Sequence, residues 1–160
     1  MGDQEAQGDV FTVNGSGDVN AGLAVRYSTT TRGYLGTLEP PSANEVCIYE
    51  DNAGFTLLAS ADRGLVHNTT YAATFRAVGG ASSTALTLII GGTTAVTFTD
   101  TTAPATGAPG MHLFTANTAI DVAAVDNFAV DDLVVPAKRV GWRAITELPP
   151  PPFSPATIYS

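Results

Sequence analysis

Residues 85–100 read ALTLIIGGTTAVTFTD, with the pair Gly91-Gly92 near the centre. Apolar side chains alternate with other residues, mostly threonine, on both sides of this pair: Leu86, Leu88 and Ile90 before it, Val96 and Phe98 after it. Alternation with a period of two is typical of a β-strand that buries one face. Adjacent glycines supply the left-handed backbone that a two-residue hairpin turn requires. The stretch therefore predicts an antiparallel β-hairpin.

The same alternation recurs along the chain, with turn residues between the runs. In residues 70–79, TYAATFRAVG, it places four side chains on one face and Thr74 and Arg76 on the other, the four being Tyr71, Ala73, Phe75 and Ala77. The apolar phase changes between Val130 and Leu133, which predicts a bulge or a bend at Asp131-Asp132. Strands are predicted near residues 9–14, 20–28, 33–39, 45–50, 54–60, 70–79, 84–91, 94–100, 109–115 and 119–135.

Composition and charge limit the classes of function. The 160 residues suffice for one domain with a sizeable core. A formal net charge of −8 offers no basic field to a phosphate backbone, so nucleic acid is not an expected partner. The polar start MGDQEAQGD does not resemble a signal peptide, and no apolar run approaches the roughly 20 residues that span a bilayer, so we expect no membrane partner. Cys47, the single cysteine, is interpreted as a buried strand thiol.

The order of the segments carries a family resemblance. The segments are NAGLAVRYS, GYLGTL, EVCIYEDNAGFTLLAS, TYAATFRAVG, LTLIIGGTTAVTFTDTT, TGAPGMHLF and VDNFAVDDL. In this order they resemble the concanavalin A-like jelly-roll domains of the laminin-G and lectin/glucanase superfamily, as found in bacterial and phage proteins. The resemblance covers about residues 20–135. It implies an all-β jelly-roll sandwich of two antiparallel sheets in residues 1–135, followed by an arm in residues 136–160.

The resemblance also implies roles for particular residues near the turns. Asp100 ends a hairpin and is expected to accept hydrogen bonds from backbone amides beyond it. Gly107 and Gly110 match a Gly-x-x-Gly turn and are expected to adopt turn conformations. Only about twenty residues precede the Gly-Leu-x-x-Arg-Tyr element, so one outer strand of the family is expected to be missing and one sheet edge to be open.

The arm, PAKRVGWRAITELPPPPFSPATIYS, continues beyond the last strand of the family. Its proline run favours an extended polyproline conformation. We expect the arm to dock on a neighbouring surface or on the open edge, and a disordered linker is the alternative. The expected partner-binding residues are Lys138, Arg139, Trp142, Arg143, Pro150, Phe153 and Tyr159.

Catalytic and metal chemistry have weaker support. Glycan-cleaving members of the superfamily carry a Glu-x-Asp-x-Glu run, which this sequence lacks, and His67 and His112 have no catalytic companions in the sequence, so we expect no enzyme. Asp126 lies in the Asp-Asn motif that sometimes binds calcium in such domains, and a structural calcium ion at Asp126 is a hypothesis. No other cofactor is expected.

Two functions remain. The first is a structural component of a virion, such as a phage capsid decoration, cement or tail-associated protein, which forms a homo-oligomer and binds other virion proteins through its arm and sheet edge. The alternative is a lectin-like carbohydrate-binding module, in which Tyr34, Tyr49 and Trp142 are the candidates for stacking on sugar rings. Core packing is the competing interpretation of Tyr27, Tyr49 and Tyr71.

Overall fold

The computed structural model describes residues 2–13, 19–28, 32–39, 45–80, 82–102, 107–115 and 122–132. This part of the chain forms ten strands and no helix, and thus has no helix that could cross a membrane. The strands are β1 (Gln4–Val13), β2 (Val19–Ser28), β3 (Arg32–Glu39), β4 (Glu45–Asn52), β5 (Phe55–Asp62), β6 (Thr70–Gly80), β7 (Ser83–Ile90), β8 (Thr93–Asp100), β9 (Ala108–Thr115) and β10 (Val122–Asp132).

The strands build two five-stranded antiparallel sheets. Sheet A has the order β10-β1-β6-β7-β8, and sheet B has the order β5-β4-β3-β2-β9. The sheets face each other, with β10 against β9, β1 against β2 and β8 against β5. The predicted all-β jelly-roll sandwich is confirmed. The proposed arm lies outside the described residues.

The core fills the space between the two sheets. Along β6, Ala73, Phe75 and Ala77 are buried and Tyr71 packs against the core, as the alternation predicts. Sheet B contributes buried residues with the same period of two, among them Leu23 and Val25. Gly36 of β3 lies directly against the Phe75 ring, since a Cβ atom at Gly36 would be 2.9 Å from two ring carbons. The absence of a side chain at Gly36 therefore makes room for the large Phe75 ring of the other sheet.

The hairpin that joins β7 to β8 has the predicted turn. Ile90 pairs with Thr93, which leaves Gly91 and Gly92 as the two turn residues. Their φ angles are +56° and +79°, so both occupy the left-handed region that glycine enters without strain.

Strand β1 begins earlier than predicted, at Gln4 instead of residue 9. The first residues of β1 are polar and lack the apolar alternation that predicts a strand. In the structure, Gln4 and Glu5 have hydrogen-bond or ion-pair partners. The Glu5 carboxylate pairs with Arg76 of β6. The Gln4 side chain donates to the Gly107 carbonyl at 2.6 Å and accepts from the Arg26 amide at 2.8 Å. β1 thus lies inside sheet A, between β10 and β6, and is not an edge strand.

The bulge predicted at Asp131-Asp132 was placed wrongly. Asp131 pairs regularly with Glu5, and the register instead shifts between Gln7 and Asp9. Asn127 lies at this irregularity with a φ of +49°, a backbone conformation that asparagine tolerates better than most residues. The change of phase in β10 lies between Val125 and Phe128, which both pack against the core although they are three residues apart.

The two glycines assigned to a turn have other roles. Gly110 lies within β9, and a Cβ atom there would meet only the Ala24 side chain, at 3.8 Å, so its assignment to a turn was wrong. Gly107 directly precedes β9 and lies against the Tyr27 backbone, where a Cβ atom would be 2.2 Å from the carbonyl oxygen. Gly107 is therefore needed for the close approach of two chain segments.

Candidate functional site

The candidate site is the face of sheet B that points away from sheet A. Leu23, Tyr34 and Ile48 belong to the core between the sheets. Because side chains alternate between the two faces of a strand, the residues next to them in the sequence project from the opposite face. The register places matching residues across the strands: Leu35 opposite Tyr49, Asp51 opposite Phe55, Gly22 opposite His112 and Asn20 opposite Phe114. We call this surface the outward face of sheet B.

Two rings on this face show that sheet B is strongly curled. Phe55 belongs to β5 and His112 to β9, the two edge strands of the sheet. In a flat sheet, four strand spacings would separate them by about 19 Å. Their ring centroids are only 5.9 Å apart, in an edge-to-face arrangement. The outward face is therefore a trough that Phe55 and His112 span from opposite sides.

The floor of the trough is mostly apolar and closed to solvent. It includes the following residues, which lie on the outward face and are nevertheless buried: Gly22, Ala24, Leu35, Thr37 and Cys47. Cys47 is thus the buried strand thiol that the sequence predicts, although it lies outside the inter-sheet core. Tyr49 stands above the floor, with its ring 6.5 Å from that of Phe55.

Exposed aromatic rings are concentrated at this trough. Phe55 is 61% exposed and Phe114 is 46% exposed, and in the described part of the chain no other phenylalanine, tyrosine or tryptophan is as open. Leu57 of β5, 50% exposed, extends the apolar surface. Exposed rings on one face of a sheet offer flat surfaces against which a ligand ring can pack.

Polar groups flank the rings at both ends of the trough. The Asp51 carboxylate accepts a hydrogen bond from the Tyr27 hydroxyl, which raises the pKa of Tyr27. Glu39 accepts from the Thr37 hydroxyl at 2.7 Å and from the Tyr49 hydroxyl at 3.1 Å. Burial first, and then the Glu39 charge, raise the pKa of Tyr49. Both tyrosines therefore stay protonated, and their hydroxyls donate hydrogen bonds to carboxylates.

His112 is held from two sides. Its Nε2 lies 2.9 Å from Asn20 Oδ1, and its ring meets Phe55. Burial lowers the pKa of His112, and the negative charge of Asp51 opposes this effect only in part. His112 lies on the face of β9 opposite to Met111 and Leu113, and it packs against other residues of the trough.

The lowered pKa of His112 predicts a pH effect on stability. The folded state favours the neutral ring, so the unfolded chain binds the proton more readily and stability falls as pH drops below the ordinary value of 6.5. A His112→Gln variant should lose less stability than the natural chain between neutral and mildly acidic pH. Urea unfolding at several pH values measures the difference, and parallel curves for the two proteins would contradict the prediction.

The end of the sandwich near Asp100 is a structural network. Asp100 is buried and accepts a hydrogen bond from the Tyr34 hydroxyl and another from the Thr102 amide at 2.7 Å. The predicted bond from Asp100 to a backbone amide is confirmed. Tyr34 is fully buried, so its assignment as a sugar-stacking residue was wrong. The strand alternation points Tyr34 into the core, where only its hydroxyl needs a polar partner.

The arginine of the Gly-Leu-x-x-Arg-Tyr element is also structural. Arg26 is fully buried, and its guanidinium donates to the Gly79 carbonyl at 2.6 Å and to the Thr84 hydroxyl at 2.5 Å. Burial lowers its pKa. These bonds tie β2 of sheet B to the β6–β7 hairpin of sheet A, which explains the use of an arginine in this motif.

Asp126, the candidate calcium ligand, lies beside the bulge of β10. Its carboxylate accepts from the Asn127 amide at 2.8 Å, and the Asn127 side chain donates to Asp9 at 2.7 Å. In the ranges that the structure describes, no three His, Cys, Asp or Glu side chains are grouped closely enough to hold a metal ion. Calcium binding at Asp126 stays a prediction.

Most of the site was not predicted from the sequence. Tyr49 was a stacking candidate, but Phe55, Phe114 and Asn20 were not, and the remaining candidate, Trp142, lies outside the described residues. The seven partner-binding residues predicted in the arm lie outside them too. Alternation along β9 would have placed His112 and Phe114 on one face. It could not have shown that Phe55 reaches that face from the far edge of the sheet.

Comparison with known proteins supports the fold. A solved structure described as the carbohydrate binding module CBM66 from Bacillus subtilis matches with a TM-score of 0.58 at 13% identity, and the match covers 82% of this chain and 76% of that chain. No protein-family model matches the sequence. No curated protein matches either. At this level of identity the likeness establishes a shared jelly-roll β-sandwich.

Proposed function

We propose that this protein is a carbohydrate-binding module that holds its ligand in the trough of sheet B. The observation that carries the proposal is the concentration of exposed rings there, with Phe55 and Phe114 beside His112. Sugar rings present apolar C–H faces that pack on aromatic rings, while their hydroxyls need directed polar partners. Asn20, Asp51 and Glu39 provide such partners beside the rings. The shared fold with a carbohydrate-binding module adds support.

The aromatic rings give the direct test. We expect Phe55→Ala to weaken glycan binding about tenfold, since burying a phenylalanine against a ligand is worth about 1.5–3 kcal/mol and part of this is retained by neighbouring residues. Phe114→Ala should have a similar effect. Val78→Ala is the matched control, because Val78 is 42% exposed and lies in sheet A. Binding to a glycan array, followed by calorimetry with any glycan that binds, measures these effects.

Two results would count against the proposal. The first is an array on which the folded protein binds no glycan. The second is a glycan whose affinity changes as much with Val78→Ala as with Phe55→Ala, since this would place the binding surface elsewhere. Unchanged thermal unfolding of each variant ensures that lost binding reflects the site and not the fold.

The virion role stays a prediction. It rests on the arm, residues 136–160, which lies outside the described residues. Light scattering of the full chain and of a chain that ends at Val135 would test it, because an assembly arm predicts an oligomer only for the full chain.

A further inference from the structure

We propose that the trough prefers glycans that carry protonated amino groups, an inference that rests on the carbohydrate-binding function proposed above. Its basis is the combination of aromatic rings with carboxylates that no cation of the described residues compensates at the site. Protonated amines are attracted both by carboxylates and by the faces of aromatic rings. Neutral sugars use only the packing surface and the hydrogen bonds.

The carboxylates of the trough bond to neutral groups. Asp51 accepts from the Tyr27 hydroxyl, and Glu39 accepts from the hydroxyls of Thr37 and Tyr49. Hydroxyl donors orient a carboxylate but leave its negative charge in place. Two carboxylates elsewhere in the structure are paired with cations: Glu5 with Arg76, and Glu50 with Arg32. No such pair occurs at the trough among the described residues, which therefore place net negative charge beside its rings.

The positive side chains of the described part of the chain are all used away from the trough. This part contains four arginines and no lysine. They bond as follows: Arg26 to the Gly79 carbonyl, Arg32 to Glu50, Arg63 to the Ala95 carbonyl and Arg76 to Glu5. None of these acceptors lies on the outward face of sheet B. A uronic acid or a sulfated sugar would thus meet carboxylates there without a described cation to pair with.

His112 does not reverse this charge balance. Among the described residues of the trough it is the one titratable group that could become positive, and it contacts Phe55 directly. Burial lowers the pKa of His112, so its ring binds a proton less readily than a free histidine does. This disfavours a competing cation at the aromatic wall.

The experiment compares three immobilised oligosaccharides of equal length at mildly acidic pH: β-1,4-linked glucosamine, its N-acetylated counterpart and oligogalacturonate. We expect the full chain to bind the glucosamine oligomer about tenfold more tightly than the acetylated one, as charge-assisted hydrogen bonds are about twice as strong as neutral ones. Oligogalacturonate should bind most weakly. Added salt should reduce the preference for the amine because it screens exposed charges.

Two variants separate this preference from the general attraction of an acidic protein for amines. Asp51→Asn should remove most of the preference, because it should weaken binding of the glucosamine oligomer far more than binding of the acetylated one; asparagine can still accept from Tyr27. Asp131→Asn makes the same charge change at an exposed position of β10 in sheet A and should keep the preference.

The outcomes distinguish the two proposals. Binding to the acetylated oligomer that equals or exceeds binding to the amine would overturn the amine preference and leave the carbohydrate-binding function intact. Equal loss of the preference in both variants would also overturn it, because the attraction would then be general. If none of the three oligomers binds and a wider glycan array is also negative, both proposals fail together.

Discussion

Replacing Phe75 with alanine is expected to lower the free energy of unfolding by about 3–5 kcal/mol, as large-to-small changes in a core remove contacts and leave a cavity. Phe75 is fully buried in β6, the central strand of sheet A, beside its cross-strand partner Leu88. Its ring also fills the space above Gly36 of the opposite sheet. The cavity would thus open between the two sheets, next to Gly36.

Gly36 allows a sharper form of this test. Gly36→Ala alone should cost about 1–3 kcal/mol, because the new methyl group would lie 2.9 Å from the Phe75 ring. In the Phe75→Ala background the same methyl group enters the cavity, so its cost should fall or change sign. We expect a favourable coupling energy of about 1 kcal/mol or more in the double-mutant cycle.

Denaturant unfolding of the four proteins measures this coupling. Gly110→Ala is the matched control, because a Cβ atom there meets only Ala24 at ordinary van der Waals distance. Its effect should be within about 0.5 kcal/mol of zero and should add to that of Phe75→Ala. Strict additivity of Gly36→Ala and Phe75→Ala would contradict the packing described here.

Elements set by local sequence were predicted well. The β7–β8 hairpin depends on alternation and on two adjacent glycines, both of which are visible in residues 85–100. The start of β1 was missed because its polar side chains find partners far away in the sequence, such as Glu5 with Arg76. A pattern search cannot detect a strand whose polar groups are satisfied only by the folded structure.

The site was harder to predict for a related reason. Alternation fixes the face on which Tyr49 or His112 lies, but not whether that face is covered. The contact of Phe55 with His112 depends on the curl of sheet B. This curl accumulates across five strands and has no recognisable signature in the sequence of any single strand. Tyr34 was misassigned for the opposite reason, since a buried tyrosine and a stacking tyrosine look alike in a sequence.

The pair Tyr34 and Asp100 supports a prediction about the pH dependence of stability. Burial by itself would raise the pKa of Asp100, but the hydrogen bonds from Tyr34 and Thr102 outweigh it and leave the pKa below the ordinary value of 3.8. A carboxyl whose pKa is lower in the folded state stabilises the fold above its unfolded pKa. This stabilisation is lost as pH falls from about 4 through the folded pKa.

Tyr34→Phe should therefore cost about 1.5–3 kcal/mol at neutral pH, the usual value of a buried hydrogen bond to a charged group. The cost should shrink as pH falls below about 4, because a protonated Asp100 no longer needs the donor. Tyr71→Phe removes a hydroxyl that bonds to the exposed Val66 amide, so its smaller cost should not change with pH. Unfolding curves from neutral to acidic pH test both variants. A Tyr34→Phe cost that stays constant over this range would show that the hydroxyl acts through packing and not through the charge of Asp100.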